Sequence, residues 1–534
     1  MRTQTNVHDG LGKIIQQARR NTLGDILART TDRFPAKIAI TYKGKEVTYQ
    51  ELDNIVNQTA HAFIADGMKK GDMITLMSKN SLDFIVVNFA LARVGAVFIP
   101  INYMLGKEDV SYILEHAGSI GLIASDEYVD LLDQASEQLH IQFKYQLGAV
   151  HVMREGWKAF NEIRIGQPIS RVENEVYDED LCHVLYTSGT ESRPKGVMLT
   201  HKSIVSEYVS CIVDGKVEAD DVFIHALPLY HSAQLHVFLG PSIYAGCSGV
   251  ILDKASPEKI LKTVEESGAT QLFCPPTVWI ALLRHPDFNK RDLSTLQKCY
   301  YGAAIMPKEI LRELSERLPH ARLWNLYGQT EVAPLATVLQ PEDQLRKLGS
   351  AGLPSLNVQT KIVDENDQEV TRGEIGEIVH RTPHAMVGYL HDPNKTKEAF
   401  RNGWFHSGDL GVMDEEGYVT IIDRKKDMIN TGGVNVSSRE VEELIYQLDG
   451  VSEVAVISLP DPYWIEAVSA IIVPKKDSVL TREIVEAYCK DRLSTFKIPK
   501  YIAFTENLPK NPSGKVLKRS LREQYQGWSE NSNE

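Results

Sequence analysis

The sequence predicts an α/β protein in two parts: a large N-terminal domain of two doubly covered sheets plus a small distorted β-barrel, then a smaller α+β C-terminal domain. Three observations carry this. Through the first half of the chain, short apolar runs alternate with helical stretches, the pattern of parallel strands joined by crossover helices. Between residues 349 and 420 the texture changes to short strands separated by Gly and Asp, as in small barrels. Beyond a charged segment at residues 423–427, strand and helix signals resume over about a hundred residues, enough to fold alone. At 534 residues the chain also exceeds one core, whose growth stops near about 250–300 residues.

Taken in order, residues 1–20 are polar and read as loosely held. Thr48-Tyr49-Gln50-Glu51 sets a hydroxyl three residues ahead of a glutamate, a capping box that predicts a helix start. Residues 73–77 read as a strand, 84–92 as an apolar helix and 96–100 as the next strand. Strands at 222–228, 249–252 and 271–274 form a second α/β run, and those at 358–363, 377–381 and 418–422 belong to the short-strand region. In the last unit a Ser437-capped helix precedes strands at 454–459 and 467–473 and a helix at 482–493. No internal repeat and no low-complexity segment is present.

Composition excludes several classes. A net charge of −13 makes the surface as a whole repel nucleic acid, so any phosphate site is a local exception. Cys182, Cys211, Cys247, Cys274, Cys299 and Cys489 stand far apart with no C-x-x-C pair. They read as reduced core thiols rather than a disulfide framework or zinc site. His225, His231 and His236 fit no familiar metal-ligand spacing. The N-terminus has no apolar leader core, and no run approaches the about 18 apolar residues of a membrane span. A cytoplasmic protein without a transmembrane segment is expected; oligomeric state and peripheral membrane contact stay open.

The chemistry centres on Tyr186-Thr187-Ser188-Gly189-Thr190-Glu191-Ser192-Arg193-Pro194-Lys195-Gly196. An apolar strand leads into hydroxyls, glycines and one lysine, and a second strand follows. Backbone N–H groups, hydroxyls and an ammonium around one point suit a polyphosphate; alone, the stretch is equally a polar hairpin. It is not the common nucleotide loop, because Lys195 precedes its glycine and leads into a strand. Downstream, Tyr327-Gly328-Gln329-Thr330-Glu331 joins an aromatic face to a hydroxyl and a carboxylate able to take Mg²⁺, or is a plain strand end. Ser407-Gly408-Asp409 offers a carboxylate for ribose hydroxyls, or is a plain turn. Pro512-Ser513-Gly514-Lys515 presents one lysine on a Pro/Gly loop, which alone reads as a solvated charge.

In kind, order and spacing these stretches together resemble the adenylate-forming superfamily of acyl-CoA synthetases, peptide-synthetase adenylation domains and beetle luciferases, from about residue 22 to 519. The resemblance implies a fatty acid–CoA ligase that uses ATP and Mg²⁺, passes through acyl-AMP and transfers the acyl group to CoA. It implies that Thr187, Ser188, Gly189, Thr190 and Lys195 hold the β- and γ-phosphates. Thr330 and Glu331 would serve the α-phosphate and Mg²⁺, with Thr187 helping the metal. Tyr327 would stack on adenine beside Gly302, Ala303 and Gly328, Asp409 would bind the ribose hydroxyls, and Arg424 would touch the ribose. Lys515 would bridge carboxylate and α-phosphate, making it, with Lys195, Thr330 and Glu331, the catalytic set. His231, Gly302 and Trp279 would border the acyl pocket. The C-terminal domain would be mobile, pivoting at Lys426 and bringing Gly432 and Gly433 to a pantetheine tunnel. The parts would be 1–422, a hinge at 423–427, and 428–534.

Three positions depart from the family pattern: Glu191, expected to face solvent, Asn430 where relatives carry lysine, and Ile465 where they carry glycine. Residues 222–239 and 277–283 supply apolar and aromatic side chains near the acyl site with no evident buried charge. That favours an aliphatic acid over an amino acid, whose ammonium would want a carboxylate. An aromatic acid, a carrier-protein acceptor and a non-catalytic adenylate-binding protein are the alternatives.

Overall fold

The computed structural model describes residues 9–148, 153–187, 193–304, 306–476, 478–510, 516–526 and 528. Ser188, Gly189, Thr190, Glu191 and Lys515 therefore lie outside the described residues. The N-terminal part holds two large sheets. In the first, nine strands run from the antiparallel edge Leu353–Pro354 and its antiparallel neighbour Leu335–Leu339, through the parallel strands Arg322–Gly328, Lys298–Gly302, Gln271–Phe273, Val222–His225, Ser248–Ile251 and Ile38–Tyr42, to the edge Lys45–Thr48. The second has eight strands, with Leu181–Thr187 and Lys195–Thr200 as an antiparallel hairpin beside the parallel set Val97–Pro100, Met73–Met77, Gly121–Ser125 and Phe143–Leu147.

The two sheets share one core. The helix Leu82–Val94 is buried at every position from Phe84 onward, as an apolar run without a polar face requires. Ser81 caps its start through Phe84 N–H, and Gly95 ends it with φ of +84°. The surrounding cluster takes Ile40 and Ile251 from the first sheet and Ile74, Phe98 and Leu199 from the second. The capping box at Thr48 and Glu51 starts the helix Tyr49–Ala65 as its sequence predicts.

A third sheet, small and antiparallel, occupies the short-strand region: Gln359–Val363, Gly376–Arg381, Phe400–Arg401 and Val419–Arg424 gather around Trp404–Met413. The fourth lies in the smaller C-terminal domain, where Val451–Asp461 and Ile465–Pro474 form a hairpin and the other edge of Ile465–Pro474 pairs with Ile429–Thr431 at its start and with Tyr501–Phe504 further along. Its core is separate, built on Val441, Val456, Ile472 and Val485. At the N-terminus the structure corrects the expectation of a loose segment: Asp9–Arg19 is a helix, whose Leu11, Ile14 and Ile15 stay exposed.

Candidate active site

A cavity of about 710 Å³ lies where the hairpin of the second sheet, the strand ends of the first and the C-terminal domain meet. Thr187 and Lys195 face each other at the loop end of that hairpin and line the cavity. Opposite them stand Thr330 and Glu331, in the turn after Arg322–Gly328. The Ser232 and Thr330 hydroxyls are 3.0 Å apart. The Tyr389 hydroxyl donates to Glu331 Oε1 at 2.9 Å, and Lys195 Nζ sits 4.9 Å from the centre of the Tyr389 ring. Lys395, Arg424 and Lys426 also line the cavity, and Val516 and Leu517 border it from the C-terminal side.

A second cavity, of about 560 Å³, shares Ala303, Tyr327, Gly328 and Arg424 with the first. Here the Tyr327 hydroxyl donates to Asp409 Oδ2 at 2.7 Å, and Arg424 Nε lies 3.0 Å from Asp409 Oδ1. Asp409 is held in turn by its own turn: its N–H donates to Ser407 Oγ, which donates to the Ile378 carbonyl. The Asp409 charge raises Arg424 above its ordinary value against the effect of burial. Burial, then Asp409, raises the Tyr327 phenol; burial, then Glu331, raises that of Tyr389. Both hydroxyls therefore stay protonated donors at neutral pH. Gly302 lines the first cavity, and a Cβ there would collide with the Leu326 carbonyl oxygen of the neighbouring strand.

The other arm of the first cavity is apolar. Val237 and Phe238 come from a π-helical turn, Ala233–Leu239, and meet Phe273, Leu326, Pro334 and Leu335. Single π-helical turns of this kind are frequent at functional sites. Phe238 and Phe273 stack at 4.4 Å with 24° between their planes, backed by Tyr300 and Trp324. His231 also lines the cavity, and its Nδ1 accepts from Ala233 N–H at 3.2 Å.

The sequence model of the AMP-binding enzyme family matches residues 27–390, and that of the AMP-binding enzyme C-terminal domain matches residues 440–515. The chain belongs to the AMP-binding enzyme family. It is 33% identical to the feruloyl-CoA synthase of an Amycolatopsis species over 512 residues, covering 95% of this chain and 100% of that one. It is 30% identical to the long-chain-fatty-acid–CoA ligase of Escherichia coli O157:H7 over 556 residues, 97% of each. Among solved structures, ATP-bound MatB from Rhodopseudomonas palustris superposes with a TM-score of 0.88 at 31% identity, over 95% of this chain and 100% of that one. The anthranilate–CoA ligase AuaEII with anthranoyl-AMP gives 0.87 at 26% identity, over 95% and 97%.

Within this AMP-binding enzyme the predicted residues gather unevenly. Thr187, Lys195, His231, Gly302, Ala303, Tyr327, Gly328, Thr330, Glu331, Arg424 and Lys426 all border the first cavity, and Asp409 borders the second. Trp279 does not border either, which corrects its assignment to the acyl pocket. Its indole is buried in the core under the first sheet and donates to the Tyr300 carbonyl at 3.0 Å. Helix Pro276–Arg284 presents Thr277 and Ile280 to the second cavity, and Trp279 lies on its other face. Gly432 and Gly433 line neither cavity in this arrangement. A Cβ on Gly432 would come within 2.7 Å of the Trp464 ring, and Asn430 shapes the turn by accepting from Gly433 N–H. His225 and His236 are core residues, bonded to Gln234 and to Tyr208 and His183, and burial pushes both down to about 3.

The hinge segment is not a solvated linker. The Asp423 carboxylate accepts from Ser438 N–H at 2.7 Å and Ser438 Oγ at 2.8 Å, capping the helix Ser438–Tyr446. Asp427 pairs with Arg522 at 2.7 Å, and Lys425 N–H donates to the Gly408 carbonyl. Sequence reasoning missed Ser232, Tyr389 and Lys395. Lys395 sits on the short helix Pro393–Ala399 and pairs with its cap, Asp392, at 3.0 Å. Ser232 and Lys395 line the cavity, and Tyr389 touches Glu331 and Lys195 beside it; no spacing signal marks any of the three.

Proposed function

We propose that this protein is an ATP-dependent, AMP-forming fatty acid–CoA ligase acting on a medium- or long-chain aliphatic acid. The observation that carries the acyl reading is the apolar arm: Val237, Phe238, Phe273, Leu326, Pro334 and Leu335 bring no charge, and all but Pro334 pack into one apolar cluster. Such a wall suits an apolar chain and gives an amino acid's ammonium no partner. In the first step the acid's carboxylate attacks the α-phosphorus of ATP in line, giving acyl-AMP and pyrophosphate. Two anions must meet, so cations in a cavity with little water lower the barrier. Lys195 and the Thr187 hydroxyl would hold the outer phosphates, Thr330 the α-phosphate, and Lys515 the gap between carboxylate and α-phosphate. In the second step the CoA thiol attacks the acyl carbon and expels AMP.

Glu331 and Thr187 fit Mg²⁺. A carboxylate and a hydroxyl at the phosphate end match an ion held mainly by substrate phosphates and one or two protein oxygens. No group of three or more ligating side chains stands among the described residues, in keeping with a metal that arrives with the nucleotide. The ion would neutralise charge on the phosphates. Tyr327 would lie against the adenine, and Asp409, fixed by Tyr327 and Arg424, would accept from the ribose hydroxyls. We place the domain boundary at 423–427, between parts 1–422 and 428–534, with Lys426 as pivot and Gly432 and Gly433 turned toward CoA after rotation.

A second reading, an aromatic acid, is favoured by the flat Phe238–Phe273 stack and the likeness to a feruloyl-CoA synthase. AMP release from ATP, Mg²⁺ and CoA across acids from acetate to palmitate, with benzoate and ferulate, decides between them. Peak kcat/KM at an aliphatic length is expected. Turnover confined to the aromatic acids would overturn the aliphatic assignment, and no turnover with any acid would overturn the ligase.

A further inference from the structure

The cation and the carboxylate assigned to opposite sides of the phosphate end share one neighbour, Tyr389. Its strand, Gly388–Tyr389, pairs antiparallel with Val197 and Met198, two and three residues after Lys195. The next amide, Leu390 N–H, donates to the Gly196 carbonyl at 2.8 Å. Two residues before that strand, Met386 N–H donates to the Glu331 carbonyl, also at 2.8 Å. One segment thus ties the lysine strand to the glutamate turn through the backbone. The buried Tyr389 side chain repeats the tie, with its ring face on Lys195 and its hydroxyl on Glu331 Oε1.

An ammonium and a carboxylate lining one cavity attract each other, and a direct ion pair would take both out of use. Among the described residues no ion pair joins Lys195 to Glu331, and Glu331 Oε2 has no hydrogen-bond partner. The ring offers the ammonium its negative face. The phenol takes one oxygen of the carboxylate and leaves the other turned elsewhere. We propose that Tyr389 is the positioning residue that keeps Lys195 and Glu331 separately available, the ammonium for the polyphosphate and the carboxylate for a divalent cation. The inference rests on the ATP- and metal-binding part of the reading above and not on the identity of the acid.

Calorimetric titration with ATP, in saturating Mg²⁺ and in EDTA, tests it without an acid substrate. The wild-type protein is expected to bind ATP more tightly with Mg²⁺. Tyr389→Phe keeps the ring and loses the hydroxyl. It is expected to shrink the Mg²⁺ advantage roughly tenfold, the size of one hydrogen bond to a charged group, with the Kd in EDTA within about twofold of wild type. Tyr389→Leu removes ring and hydroxyl, lets Lys195 close on Glu331 and weakens binding in both conditions. A Mg²⁺ advantage left at full size in Tyr389→Phe would overturn the proposal alone. So would an equal loss with and without Mg²⁺, the mark of a purely structural role. A wild-type protein with no Mg²⁺ advantage, or no ATP binding, would overturn the proposal together with the reading of Glu331 or of the nucleotide site.

Discussion

Phe238 is the residue whose removal speaks most directly to acyl length. It lines the cavity, stacks on Phe273 and leans on Tyr300, which Trp324 backs in turn. Truncation in Phe238→Ala opens the end of the arm. Each methylene that then enters contributes about 0.8 kcal/mol, roughly fourfold in kcat/KM. The optimum is expected to move to longer acids, read from a chain-length profile, while the KM for ATP stays put. Stability falls at the same time, since burying a Phe and losing it costs about 3–5 kcal/mol in a core, less where the ring already borders a cavity. An unmoved optimum would remove Phe238 from the acyl wall. Ile465 shows how a residue-scale departure becomes legible only in the fold. Its φ of +69° lies in the region glycine favours, which explains the glycine of its relatives and marks local strain in this chain.

At the scale of elements, the long C-terminal hairpin is fastened at its turn by Asp461. Its carboxylate accepts from Tyr463 N–H and Trp464 N–H at 2.9 Å each and from Lys500 and Tyr501. Burial alone would push the carboxyl up; Lys500 and the two amides outweigh it and bring it down to about 2. A depressed carboxyl stabilises the fold above its ordinary value of about 3.9, and that stability is lost as pH falls toward 2. Asp461→Asn is therefore expected to lower the urea midpoint at pH 7 and to flatten its fall between pH 4 and 2. An unchanged acid dependence would contradict the assignment. Elements with local signals were readable from sequence: the capping box at Thr48, the Ser437 cap, the buried helix Leu82–Val94 and the paired strands around Lys195. Helix Asp9–Arg19 was not, because its apolar residues bury little and leave no core pattern. The facing of Trp279 was not either, since apolar spacing marks a helix but not which of two apolar sides meets the cavity.

For the whole molecule, the candidate site exists only where both domains meet. The motif residues from Thr187 to Asp409 were legible because their chemistry is local, whereas Tyr389, Lys395 and Ser232 join them only through tertiary packing. In the present arrangement Val516 and Leu517, next to Lys515, border the cavity, and Gly432 and Gly433 do not. Asp423 holds this arrangement by capping Ser438–Tyr446, and Arg439 donates to the Ile421 carbonyl. Both contacts lie at the segment where we place the domain boundary, so the proposed rotation would have to break them. The most direct measurement follows an oxygen atom through both steps. The acid that turns over is labelled with ¹⁸O in its carboxylate, and the AMP formed with ATP and CoA is weighed by mass spectrometry. Acyl-AMP formation followed by thiol attack leaves one labelled oxygen in AMP and none in pyrophosphate. Label in pyrophosphate or phosphate, or unlabelled AMP, would contradict adenylate formation.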